Sequence, residues 1–131
     1  MLVLDENITR GAEHLLREWR IRPRVVGDHF LPEDADDENI IPLLHRLAQP
    51  TFFTHDVDFY RRELQHAGYA LIWLDLPPTE AARYIRAFLR HPDFDTHTKR
   101  LGKVVRVHSD GLTFFDSRHG RAKQVAWLRA V

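Results

Sequence analysis

Four short apolar stretches of this 131-residue chain run into an aspartate. Leu2-Val3-Leu4 leads to Asp5, Arg24-Val25-Val26-Gly27 to Asp28, Thr51-Phe52-Phe53-Thr54-His55 to Asp56, and Leu71-Ile72-Trp73-Leu74 to Asp75. Carboxylates are poor strand formers, and burying one is unfavourable unless it is paired, hydrogen-bonded or metal-bound. Clustered carboxylates also repel one another until a cation sits between them. A divalent metal resolves that conflict, and oxygen ligands without cysteine favour a hard ion, Mg²⁺ or Mn²⁺, which keeps waters and works with phosphate substrates. The sharpest local signature is Thr54-His55-Asp56-Val57-Asp58-Phe59, where Asp56 and Asp58 bracket one residue. Asp5 with Glu6, and Asp56 with Asp58, are therefore read as functional, whereas turn formation or helix capping explains Asp28 and Asp75 as well or better. His55 stands beside the cluster as a ligand or, more often for such a histidine, as a hydrogen-bond partner.

These acids act together only if the elements that carry them end on one edge. Leu2–Asp5 is a continuous apolar run, as expected of a strand buried on both faces. A helix over 9–19 follows, with Ala12, Leu15, Leu16 and Trp19 at helical spacing. After a second strand at 24–28 and an acidic loop, Asp36 or Asp37 is placed to cap a helix carrying Ile40, Leu43, Leu44 and Leu47. Pro42 removes an amide just past its first turn, so this helix is expected to begin late or to kink. Strands at 51–56 and 70–76 flank a helix or helical turn at 58–68, and Thr79 is placed to cap a helix over 79–91. Residues 103–116 hold two strand-like stretches around Ser109-Asp110-Gly111, a hairpin signal, and 125–131 carries no clear assignment. Alternating strands and helices predict one α/β domain over 1–131, with a central mainly parallel sheet and a C-terminal β-hairpin at about 103–116. In such sheets the ligand crevice lies outside the carboxyl ends of the strands.

Composition narrows the classes further. The chain has 44% hydrophobic and 29% charged residues, away from disordered and membrane compositions, and its 19 basic residues balance 19 acidic ones. Net charge thus gives no sign of nucleic-acid binding, although bases crowd 17–24, 98–106 and 117–123; each run alone reads as a solvated face. The absence of cysteine excludes disulfides and thiolate zinc sites. No leader-like segment or bilayer-spanning run is evident, so a cytoplasmic location is expected. Gly-rich phosphate loops, zinc-protease helices and nucleophile elbows are missing.

The stretches LVLDEN, ADDENI, THDVDF and LIWLDL, in that order and spacing, resemble the small bacterial PIN-like domain proteins related to PIN nucleases, over most of residues 1–91. The resemblance implies a three-layer α/β PIN-like fold whose acids bind Mg²⁺ or Mn²⁺ for cleavage of RNA, often as the toxin partnered by an antitoxin, and often in a homodimer. Asp5 then looks like the first-strand metal ligand with Asn7 as a polar helper, Asp37 or Glu38 like the helix-borne acid, and Asp56 with Asp58 like the later pair. Thr54 resembles the small hydroxyl residue preceding that pair. Strand alternation sends Asp5 and Glu6 to opposite sides, leaving Glu6 a supporting role. An acidic pocket admits a polyanion only beside bases, and Arg10, Lys99, Arg100, Lys103, Arg118, Arg121 and Lys123 are candidates to hold the RNA backbone. Two other readings compete. A receiver-like Mg²⁺-binding signalling domain would use Asp56 as phosphoacceptor, though it wants Thr or Ser where Leu74-Asp75-Leu76 stands. A catalytically inactive PIN-like module would serve binding or assembly.

Overall fold

A computed structural model of the chain describes residues 1–30, 37–117 and 120–131. Seven strands form one sheet: β1 (Leu2–Leu4), β2 (Arg24–Val25), β3 (Thr51–Thr54), β4 (Ala70–Leu74), β5 (Val104–His108), β6 (Gly111–Phe115) and β7 (Lys123–Ala126). Their order across the sheet is β2-β1-β3-β4-β5-β6-β7. The five strands from β2 to β5 are mutually parallel, and β6 alone runs against the rest, pairing antiparallel with both β5 and β7. The protein is thus α/β with a mostly parallel central sheet.

Strand alternation decides which helix covers which face. Leu4, Phe53, Ile72 and Val105 point to one side, where they pack on α1 (Arg10–Glu18) and α3 (Ala81–Arg90) through Ala12, Leu16, Ala82, Ile85 and Phe88. Their neighbours Val3, Phe52, Leu71 and Val104 point to the other side, against Ile40, Leu43 and Leu44 of α2 (Asp37–Arg46). Helices on both faces are compatible with a three-layer arrangement. Phe52, Phe53, Phe88 and Phe94 are fully buried, and each such side chain contributes about 1.5–3 kcal/mol by leaving water.

Local chemistry sets the element ends. Thr9 caps α1, its hydroxyl accepting the Ala12 amide at 3.1 Å. The helix after β4 departs from expectation: a 3₁₀ turn over Pro78–Glu80 leads into α3, and no side chain caps it. The Pro77-Pro78 pair already winds the chain here, so Thr79 lies inside the turn and lacks the extended backbone a cap requires. α2 runs through Pro42 and does not wait for it. Between β3 and β4, where a helix or helical turn is expected over 58–68, the chain takes two 3₁₀ turns, Val57–Phe59 and Arg62–Leu64. Among the described residues no helix is long and apolar enough to cross a membrane.

The strand order has a functional consequence. The chain leaves β1 for β2 on one side and returns past it, through α2, to β3 on the other. Connections therefore diverge at the carboxyl ends of β1 and β3, opening the crevice where doubly wound sheets bind ligands.

Candidate active site

Asp5 stands at that divergence. Its amide still belongs to the sheet, donating to the Phe53 carbonyl at 2.9 Å, which sets Asp5 opposite Thr54. Both side chains are buried, Asp5 to 4% exposure and Thr54 to zero. The Thr54 hydroxyl donates to Asp5 Oδ2 at 2.7 Å, and the Glu6 amide donates to Oδ1 at 2.8 Å. Thr54 Oγ1 in turn accepts the side-chain amide of Asn7 at 3.2 Å and the backbone amide of Asp56 at 3.0 Å. With one proton and two lone pairs, that hydroxyl is saturated, and its proton has no destination except Asp5. Both Asp5 oxygens accept, the arrangement suited to a carboxylate.

Asn7 closes the clamp from the other side. Its Oδ1 accepts the His55 amide at 3.2 Å while its Nδ2 serves Thr54. The turn after β1 and the turn after β3 are therefore tied together by one amide side chain. Glu6 is exposed and stands in the turn after β1, beyond the reach of strand alternation. His55 donates from Nδ1 to the Leu74 carbonyl at 3.1 Å, and its Nε2 is buried without a partner among the described residues. The bonded Nδ1 leaves the Nε2 lone pair of a neutral imidazole unspent.

The later acid pair divides. Asp56 caps the 3₁₀ turn, its Oδ1 accepting the Asp58 amide at 2.9 Å, and Asp58 itself is exposed. Asp37 and Glu38 open α2, and their side chains lie outside the described residues, as does Arg118. Among the described residues no three His, Asp or Glu side chains converge to hold a metal ion. Asp5, Asp56 and Asp58 thus form no closed cage. The donor chemistry nonetheless fits Mg²⁺ or Mn²⁺, because a hydrated Mg²⁺ commonly takes one or two carboxylates, several waters and a substrate phosphate.

The remaining strand-end acids are occupied by arginine. Arg10 forms a two-pronged pair with Asp28, Nη2 reaching Oδ1 at 2.7 Å, and also meets Glu13. The guanidinium holds the Asp28 carboxyl below its usual range. Asp75 accepts Arg106 Nε at 2.8 Å and Nη2 at 2.7 Å. Asp28 also lies in the turn after β2 that the sequence suggested, its amide donating to the Val25 carbonyl at 3.1 Å, whereas Asp75 caps nothing, the next turn being entered from Pro77.

Of the expected RNA-holding bases among the described residues, Arg10 opens α1 at the carboxyl edge but is paired with Asp28, and the others are not gathered around Asp5. Lys99 and Arg100, in α4 (His97–Arg100), and Lys103 precede β5 and sit toward the amino ends of the strands, the opposite edge from Asp5. Arg100 is 7% exposed and donates inward to Thr51 Oγ1 at 3.0 Å and the Phe94 carbonyl at 2.8 Å, so it anchors structure. Lys99 pairs with Asp95, Lys103 donates to the Lys99 carbonyl, and Lys123 pairs with Asp116. Arg121 is exposed. No family model matches the chain, nor does any curated protein or solved structure.

The surface pairs carry a pH prediction. Arg10, Lys99 and Lys123 lower the carboxyl pKa of Asp28, Asp95 and Asp116 respectively. A depressed folded-state pKa gives stability that is present above the unfolded value near 3.8 and is lost as pH falls through the folded one. Urea midpoints should accordingly decline through and below that range, and added salt should flatten the decline. A midpoint that rises on acidification would contradict the assignment.

Proposed function

We propose that this protein is a metal-dependent endoribonuclease of PIN-like type, hydrolysing RNA phosphodiesters at the β1/β3 crevice. The observation that supports this reading is Asp5, a buried carboxylate held by Thr54 and the Glu6 amide where the sheet connections diverge. A structural acid has no need of that crevice, and a catalytic one does. Asp5 and Asp56 would hold Mg²⁺ or Mn²⁺ with the help of Asp37 or Glu38, since α2 follows the carboxyl end of β2 and opens toward the same edge. Such an ion, when bound there, would supply an activated water and stabilise charge on the scissile phosphate. Thr54 and Asn7 keep the Asp5 oxygens in place, acting as positioning residues. The toxin role and an antitoxin partner belong to this reading through the resemblance of LVLDEN and THDVDF alone.

Single-stranded RNA incubated with the purified protein should be cut when Mn²⁺ or Mg²⁺ is present, and cutting should stop on chelation with EDTA. Intact RNA with either metal removes the proposal. A second reading draws on the strand order, because β2-β1-β3-β4-β5 is also the order of receiver domains. The one lysine next to β5, Lys103, stands at its amino end, far from Asp56, and Asp75 is spent on Arg106. Acetyl phosphate separates the two readings: a receiver acquires an aspartyl phosphate at Asp56, and a nuclease does not.

A further inference from the structure

On the side of the sheet covered by α1 and α3, away from the Asp5 side chain, an open groove of about 470 Å³ runs between α3 and the segment after β7. Arg83, Arg86 and Arg90 line one wall and Arg129 the other, with Trp127 and Ala87 between them. Positions 83, 86, 87 and 90 follow helical spacing, so three arginines project from one face of α3. At 1.5 Å per residue that row is roughly 10 Å long. The small side chain of Ala87 leaves the floor of the row open.

Like charges aligned on a helix destabilise it, and an isolated protein usually answers them with acids. Here the answer is incomplete. Arg83 pairs with Glu80 at 2.6 Å, and the Arg86 guanidinium lies 3.6 Å over the Trp19 ring. Arg86, Arg90 and Arg129 have no carboxylate partner among the described residues, and Arg90 and Arg129 are exposed. The groove itself is braced: His91 Nε2 donates to the Ala126 carbonyl at 3.1 Å and Trp127 Nε1 to the His108 carbonyl at 2.8 Å. With its N–H spent, Trp127 offers the groove the surface of a half-buried indole.

We propose that this groove binds the backbone of a single-stranded nucleic acid, its phosphates on Arg83, Arg90 and Arg129 and a base against Trp127. A row of charge this long suits successive phosphates better than one small anion, and arginines interleaved with an aromatic ring are the usual means of holding an unpaired strand. Trp127 is bonded at the carboxyl end of β5, three strand intervals or about 14 Å along the edge from β1. A strand cut at Asp5 can therefore be gripped at a distance from the cut. That the strand is RNA rests on the proposed nuclease activity; that the groove binds a strand does not.

The test measures binding apart from cleavage. Fluorescence anisotropy with a labelled single-stranded oligonucleotide in EDTA should show affinity that falls about tenfold or more at ~0.15 M salt in the R90Q/R129Q double variant. The slope of log affinity against log salt should shrink by about 1.4, the value for two lost contacts to a single strand. Both residues are exposed, and unchanged thermal melting will show that the fold is intact. Affinity and slope equal to wild type overturn the proposal, as does a wild type that binds no oligonucleotide. Pyrophosphate binding that depends on Arg90 and Arg129 while oligonucleotide binding does not also overturns it, in favour of a small-anion site. Strand binding that needs the groove in a protein that never cleaves RNA leaves this proposal standing and removes the nuclease.

Discussion

Asp5→Asn is expected to leave a folded protein that no longer cleaves RNA with Mn²⁺, a loss of at least about a hundredfold in rate, on the scale of removing one electrostatic catalytic group. The exchange keeps shape and deletes the ligand charge. It also disturbs the clamp in a specific way. The Thr54 hydroxyl already accepts from Asn7 and Asp56 and can only donate to residue 5. An asparagine must therefore offer its oxygen to Thr54 and turn its NH₂ toward the Glu6 amide, setting donor against donor, or do the reverse. Either way a buried donor is stranded, at about 1–3 kcal/mol of stability. Urea denaturation and Mn²⁺ calorimetry separate these effects. Thr54→Val provides the complement, with metal affinity expected to drop about 10–100-fold while Asp5 keeps its charge. Cleavage by Asp5→Asn at the wild-type rate would sink the proposed site.

Gly111→Ala is expected to lower stability by about 3 kcal/mol or more, combining backbone strain and overpacking. Gly111 opens β6 at φ +150°, a region that side chains rarely tolerate. A Cβ there would press on the Val125 carbonyl oxygen and lie 3.2 Å from the Ala126 Cα. Both are backbone atoms of the neighbouring strand, paired with Gly111 and Leu112, so relief requires parting β6 from β7. Gly11→Ala is the control, since its Cβ would meet only Thr9 Oγ1 at 4.0 Å. Thermal melting of the two variants should show a large fall for the first and none for the second. A change below about 1 kcal/mol for Gly111→Ala would refute the strand contact.

The alternation of apolar runs and helical stripes was legible because each element is buried by its own pattern. The β1 run has no alternation, and both its faces are covered, Val3 by α2 and Leu4 by α1. What sequence could not supply was pairing. Asp5, Asp28, Asp56 and Asp75 look alike at the ends of runs, yet only the register of β1 with β3 sets Asp5 opposite Thr54. Asp28 and Asp75 were taken by Arg10 and Arg106, partners 18 and 31 residues distant that no local spacing reveals. The basic runs misled for a related reason: density along the chain says nothing about facing, and Arg100 turned inward. The row of Arg83, Arg86 and Arg90 carries a signal that the sequence reading passed over, since it lies off the Ala81, Ala82, Ile85 and Phe88 stripe.

The bond from Thr54 to Asp5 spans 49 residues. On a ribosome adding about 5–20 residues per second, the hydroxyl follows the acid by roughly 2–10 s. Throughout that interval Asp5 has neither its hydroxyl partner nor the Asn7 link to β3. The buried acid thus gains its support from Thr54 only once β3 has been made, so β1 cannot present a fixed Asp5 before the strand it pairs with exists.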